Sequence, residues 1–286
     1  MKQGDLVVRK SYGGDVIFKI QEFAYQTALL RGVDYRLLAD ASIADLSAVP
    51  QTRIAEHEKQ MEQRYTEVRS AVVREQTPQA NDRQSRSSKQ IRNGQAYFEM
   101  PGKVLHLDGD PSYLRKSMGL YGELRVPAEG IYIPEANMAN ALVRLLPQVR
   151  PDVLVITGHD GILKEHKDGD MQNLISYKNS QNFVNAVRTA RQYERNKDTL
   201  VIIAGACQSH FEALLQAGAN YASSPGRVLI HALDPLYIAA KVSFTSIRET
   251  VQMMDIVEHT MSGLEGLGGI ETRGSYRLGV PKLKHL

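Results

Sequence analysis

The sequence predicts an α/β protein: a doubly wound, mostly parallel sheet with helices on both faces, preceded by a small SH3- or Tudor-like β-barrel and a charged helix. Three observations carry this. Beyond residue 95, apolar runs of strand length alternate with helical segments, the pattern of a parallel sheet covered on both faces. Before residue 51, short β-rich runs are separated by turn residues. Between them the composition turns polar and basic.

Residues 1–50 open with GDLVVRKSYGGDVIFKIQEF, two β-rich runs joined by Ser11-Tyr12-Gly13-Gly14, a hairpin signal. TALLRG and YRLLAD add further strands, so five short strands are expected. Six basic and six acidic side chains leave this barrel neutral, which favours a docking or regulatory module over a nucleic-acid binder. Residues 51–76 carry five charges of each sign and few apolar positions, and predict a solvated connecting helix. Residues 77–95 hold Arg83, Arg86, Lys89 and Arg92 against Asp82, with Ile91 the one large apolar residue. Such a stretch buries too little to offset its ordering entropy, so a flexible basic linker is expected. Residues 96–286 carry twenty charges of each sign, so the whole net charge of +3 belongs to the linker.

The second domain, 96–286, contains the runs KVLHLDGD (103–110), GIYIPEAN (130–137), DVLVITGHDG (152–161), TLVIIAGACQ (199–208) and RVLIHALDP (227–235). Helices are expected at 111–124, 138–149, 180–196 and 210–219. In a wound sheet, ligands gather beyond the carboxyl ends of the strands. Asp108, Asp110, His159, Asp160, Cys207 and Asp234 lie there. His159 and Cys207 end consecutive strands, which usually lie side by side at about 4.8 Å. A thiol beside an imidazole is the minimum equipment for nucleophilic attack on a carbonyl.

Composition excludes other chemistries. A single cysteine in 286 residues forbids a disulfide framework and a cysteine-cluster metal site. No apolar run reaches the roughly 18–20 residues of a membrane span. The opening Met1-Lys2-Gln3-Gly4-Asp5 lacks the apolar core of a secretory signal, so an intracellular protein is expected. His210 is a rival base for Cys207. His106, inside a strand, reads as a hydrogen-bonded core residue, and His166 as a solvated loop residue. Asp108 and Asp110 resemble the acidic cluster of phosphoacceptor domains and offer an alternative, a flavodoxin- or receiver-like module binding metal or phosphate. Turn and N-cap chemistry is the favoured reading of DGDPSY. The glycines of GLGGIETRG lack the strand–helix context of a dinucleotide site.

The apolar strand ending in His and the apolar strand ending in Ala-Cys resemble clan CD cysteine peptidases, the caspase, gingipain, clostripain and separase group. The 48-residue separation of His159 and Cys207 is close to the caspase spacing of about 50. MPGKVLHLDGD (100–110), RPDVLVITGHD (150–160), AGACQSHFEALLQAGANYASSP (204–225), GLGGIETRG (266–274) and the opening GDLVVRKSYGGDV are similar to the YabG family of sporulation-specific cysteine proteases. The resemblance spans nearly the whole chain. It implies a caspase-like peptidase domain that processes spore-coat and other sporulation proteins, cleaving after Arg. It also implies no cofactor or metal, no nucleic-acid or membrane partner, and a place in the cytoplasm of the sporulating cell at the developing coat.

Carried over, Cys207 matches the nucleophile and His159 the catalytic histidine. The clan's His-Gly is here His159-Asp160-Gly161, so the oxyanion would be held by the Cys207 N–H and that of Asp160 or Gly161. Gly205-Ala206-Cys207 replaces Gln-Ala-Cys. A substrate arginine needs a pocket carboxylate, for which Asp234 and Asp160 are candidates. Self-cleavage is expected after Arg83, Arg86 or Arg92. A coat scaffold with a vestigial dyad is a further alternative.

Overall fold

The computed structural model describes residues 1–76, 98–166, 171–258 and 260–279. The expected linker, with Arg83, Arg86 and Arg92, lies outside them.

Five strands form the first sheet: β1 (Leu6–Arg9), β2 (Phe18–Ala24), β3 (Thr27–Gly32), β4 (Leu38–Ser42) and β5 (Leu46–Ala48), all antiparallel in the order β4-β3-β2-β1-β5. The chain turns between β1 and β2 through Gly13 and Gly14, both at positive φ (+64° and +72°), which explains the glycine pair. Val7, Phe18, Ile20, Leu30 and Leu46 close a small core on one face. Helix α1 (Gln51–Gln76) follows. It is polar along most of its length, yet it is more than a solvated connector. Tyr65 packs on the core of the large sheet, and His57 Nε2 lies 2.8 Å from Asp34 of the first sheet.

The α/β unit begins after the short strand β6 (Phe98–Met100). Its elements are β7 (Val104–Asp108), α2 (Pro111–Glu123), β8 (Ala128–Tyr132), α3 (Met138–Val149), β9 (Val153–Thr157), α4 (Ser180–Tyr193), β10 (Val201–Ala204), α5 (Phe211–Ala217) and β11 (Tyr221–Ser223). Then come α6 (Asp234–Phe244), β12 (Thr250–Val251), α7 (Met253–Glu258), α8 (Gly263–Gly266), β13 (Leu267–Gly269), β14 (Thr272–Arg273) and β15 (Arg277–Gly279). The six-stranded sheet runs β13-β11-β10-β9-β7-β8, parallel except for β13. β12 with β14, and β6 with β15, make two small antiparallel pairs.

Alternate side chains of the central strands feed opposite cores. Val153, Val155, Val201 and Ile203 meet Tyr121 of α2 and Leu236 and Ile238 of α6. Leu105, Leu107, Leu154, Ile156 and Ile202 meet Leu142 of α3, Phe183 of α4 and Leu214 of α5. Burial on both faces accounts for the continuous apolar runs.

One expected strand is displaced. The strand after α5 is Tyr221–Ser223, in register with Ile203–Ala204, rather than 227–235. RVLIHALDP is a crossing segment, buried from Ile230 onward, that leads into α6, which Asp234-Pro235 opens. Periodicity cannot separate a buried connector from a buried strand.

Candidate active site

Parallel pairing of β9 with β10, and of β9 with β7, brings three strand tips together at one end of the sheet. In sequence order the strands run 2-1-3-4-5 from β8 to β11, so the direction of winding changes between β7 and β9, where wound sheets hold ligands. Asp108 and Asp110 come from the first tip, His159 from the second and Cys207 from the third.

The second and third tips are laced together. Thr157 Oγ1 donates to the Gly205 carbonyl at 2.9 Å, and Ser209 Oγ to Asp160 Oδ2 at 2.9 Å. Gly205 has φ +110°, and a Cβ there would stand 2.9 Å from Leu214 Cδ1, so glycine is required for the reversal that presents Cys207. Gly158 serves another purpose. A Cβ on it would fall 2.4 Å from Glu135 Oε1, and that same oxygen accepts the His159 N–H at 2.8 Å.

The His159 ring is held on both sides. Nε2 lies 2.9 Å from Asp110 Oδ2, while Nδ1 lies 3.4 Å from the Arg36 carbonyl. Burial pushes the Asp110 carboxyl up, but His159 and Arg31, whose Nε is 3.2 Å away, outweigh it and bring it down to about 2. Asp110 Oδ1 meanwhile caps α2, accepting the Ser112 N–H at 2.7 Å and the Tyr113 N–H at 3.2 Å. The N-cap reading thus holds for Asp110, which in addition holds His159.

Cys207 is fully buried. Its Sγ accepts the Ile230 N–H at 3.3 Å and faces the Ile230 carbonyl at 3.7 Å. Burial pushes the thiol up to about 12, against the opposing pull of the Ile230 and Arg36 backbone and the Arg36 charge. In this arrangement the sulfur is a neutral thiol.

The remaining candidates sort by their partners. Asp160 accepts from the Gly161 and Asn179 N–H groups and from the Ser180 and Ser209 hydroxyls. Asp234 accepts the Met261 and Ser262 N–H groups at 2.8 and 3.1 Å. Both carboxylates therefore hold loops of the fold. Asp108 instead holds a buried guanidinium with both oxygens, each 3.0 Å from Arg36 Nη1. His210 caps α5, with Nε2 2.7 Å from the Gln172 carbonyl and Nδ1 3.2 Å from Glu212. His106 is buried and lies 3.1 Å from the Tyr121 hydroxyl, as its place in a strand implied. His166 is partly buried in a short 3-10 turn. Among the described residues no group of three or more His, Cys, Asp and Glu side chains could hold a metal ion.

Sequence reasoning missed Arg36 and Glu135. No local pattern marks either, because Arg36 reaches the site from the first sheet and Glu135 from the connection after β8. An open cleft of about 980 Å³ lies beside this junction, lined by Asp34, Tyr35, Arg64, Leu229 and His231 among others.

The profile of the family described as YabG peptidase U57 matches residues 2–281. The sporulation-specific protease YabG of Bacillus subtilis (strain 168) is 44% identical over 289 residues, which cover 97% of this chain and 97% of that protein. Among solved structures, the isolated REC domain of RcsB from Salmonella enterica serovar Typhimurium aligns over 41% of this chain and 69% of that one. Its identity is 17% and its TM-score 0.25, a likeness too low to carry an argument.

Proposed function

The chain belongs to the YabG peptidase family, and from that premise we propose that it is a cysteine endopeptidase with Cys207 as nucleophile and His159 as general acid–base. The family carries a protease role in sporulation. The observation that best supports the finer reading is the placing of His159 and Cys207 at the tips of paired parallel strands, with Asp110 orienting the ring.

In this mechanism His159 takes the Cys207 Sγ proton, and the resulting thiolate attacks the scissile carbonyl and forms a tetrahedral intermediate. His159 protonates the departing amine, leaving a thioester. Water, deprotonated by His159, then attacks the thioester carbonyl and releases the carboxylate product and the thiolate. The Cys207 N–H is one oxyanion donor. The Gly161 N–H is already given to Asp160 Oδ1 at 2.9 Å, which favours the Asp160 N–H as the second. His159 is preferred to His210 as base because it follows β9, the strand paired with the one that leads to Cys207, whereas His210 is spent as the N-cap of α5.

The rest of the reading rests on the family resemblance. The α/β unit is a caspase-like peptidase domain over 96–286, and the first sheet an SH3-like docking module over 1–50. The substrates are spore-coat and other sporulation proteins, cut after Arg, at the coat of the developing spore. Self-cleavage falls after Arg83, Arg86 or Arg92. Among the described residues no helix is long and apolar enough to cross a membrane. The flavodoxin-like alternative is disfavoured by the ion pairs that engage Asp108 and Asp110 with Arg36, His159 and Arg31.

The test is Cys207→Ala. Cleavage of an Arg-containing protein substrate should fall at least about 10³-fold with an unchanged circular dichroism spectrum. Mass spectrometry of the products, including those of the chain itself, would give the residue before each cut. Full activity in the variant would overturn the assignment.

A further inference from the structure

The turn between β3 and β4, Gly32–Leu37, lies across the candidate active site. It pairs with the segment that follows β11 as an added strand would. Tyr35 bridges His231 in antiparallel sense, the Arg36 N–H donates to the Ile230 carbonyl at 3.3 Å, and the Ala232 N–H to the Asp34 carbonyl at 2.6 Å. Peptide ligands commonly add to exposed strand edges in this manner. The Tyr113 hydroxyl anchors the turn against the carbonyls of Gly32 and Tyr35, each at 2.6 Å.

Arg36 is the centre of this contact and is fully buried. Nη1 meets both oxygens of Asp108 at 3.0 Å, Nε donates to the Ala232 carbonyl at 3.0 Å, and the guanidinium lies 5.1 Å from the centre of the Tyr113 ring. Its carbonyl faces His159 Nδ1, and its backbone reaches Cys207. One main-chain unit thus touches both members of the candidate dyad while its side chain fills a pocket built for a guanidinium.

We propose that Asp108, with the Ala232 carbonyl and the Tyr113 ring, is the pocket that takes the substrate arginine, and that Arg36 occupies it in the full chain as a built-in inhibitor. This rests on the cysteine-peptidase reading with Arg preference and adds the residue that sets the preference and the segment that restrains it. Three features make Arg36 an inhibitor rather than a substrate in position for attack. The Leu37 N–H closes back on the Tyr35 carbonyl at 2.7 Å, a tight turn instead of an extended peptide. The Arg36 carbonyl oxygen points at the histidine rather than at backbone N–H donors. The Cys207 sulfur is engaged with Ile230. The hold is incomplete as well, since Arg36 Nη2 is buried with no hydrogen-bond partner among the described residues, which leaves room for a better-fitting arginine to displace it.

The experiment uses the full chain and a fluorogenic peptide amide with Arg before the leaving group, compared with its citrulline analogue. Arg36→Gln should raise kcat/KM on the Arg peptide by tenfold or more and speed iodoacetamide alkylation of Cys207 by a similar factor. Adding Asp108→Asn to Arg36→Gln removes both members of the buried pair, and should reduce the preference for Arg over citrulline by at least 100-fold. Tyr113→Phe frees the turn without touching either charge and should also raise alkylation, which covers the case of an Arg36 variant that does not fold. Peptide and alkylation rates equal to the parent in both Arg36→Gln and Tyr113→Phe would overturn the inhibitory role. A retained Arg preference in the double variant would overturn the pocket. Peptide cleavage surviving in Arg36→Gln/Cys207→Ala would instead overturn the cysteine-peptidase reading itself.

Discussion

One oxygen of Asp110 lies 2.9 Å from His159 Nε2 while the other caps helix α2. A single carboxylate therefore ties the orientation of a candidate catalytic ring to the start of a helix packed on the sheet. The two duties are separable. Asparagine keeps an acceptor for the cap but loses the charge that faces the imidazole.

Asp110→Asn should lower kcat on an Arg peptide by roughly 10–100-fold with KM little changed, since an oriented partner of a catalytic group acts through that group. Stability should fall by no more than about 1 kcal/mol by chemical denaturation. A proportionate loss of both would make Asp110 a cap and nothing more.

Acid should loosen the contact between the first sheet and the site before it reaches Asp110. Burial lowers His231, which bridges Tyr35, from 6.5 to about 3. A histidine held neutral in the fold stabilises it fully above about 6.5, and that contribution is lost as pH falls from there toward 3. Asp110, lowered from 3.8 to about 2, contributes fully above 3.8 and loses its share only as pH falls through 2. Thermal melts between pH 7 and 3 should therefore drop first in the histidine range, and His231→Asn should flatten that part of the curve.

Gly158→Ala should destabilise the chain by about 1–3 kcal/mol, because the new methyl meets the Glu135 carboxylate at 2.4 Å. Glu135→Ala in the same background should recover most of the stability and little of the activity, since the His159 N–H then loses its acceptor. A double-mutant cycle in urea measures the coupling.

Arg191 is a structural control far from the dyad chemistry. It donates to the Gly218 carbonyl at 2.8 Å, the Leu200 carbonyl at 2.9 Å and Asn220 Oδ1 at 2.6 Å, and Asn220 in turn receives the Ile202 N–H at 2.8 Å. Arg191→Ala should cost about 3 kcal/mol in denaturant melts while leaving the Arg-over-citrulline ratio unchanged.

The sequence by itself determined the elements whose signals are local. The Val/Ile/Leu runs around Leu105, Leu154 and Ile202 read as strands buried on both faces, and the rule that wound sheets gather ligands at their carboxyl ends, with the chemistry of a thiol beside an imidazole, then pointed to His159 and Cys207. Gly13-Gly14 marked its turn, and Asp110-Pro111 marked a helix start, because backbone sterics act within a few residues. Tertiary structure alone decided what surrounds those tips. The run at 227–235 had strand composition and became a connector once Tyr221–Ser223 had taken the place beside β10. Asp160 and Asp234 follow apolar runs in the sequence, and only the fold supplies their partners, the Asn179 N–H for one and the Met261 and Ser262 N–H groups for the other. Arg36, 171 residues before Cys207, reaches the site only because one sheet packs against the other. Contacts of that separation leave no periodic trace in the sequence, since their energy comes from partners that folding brings together.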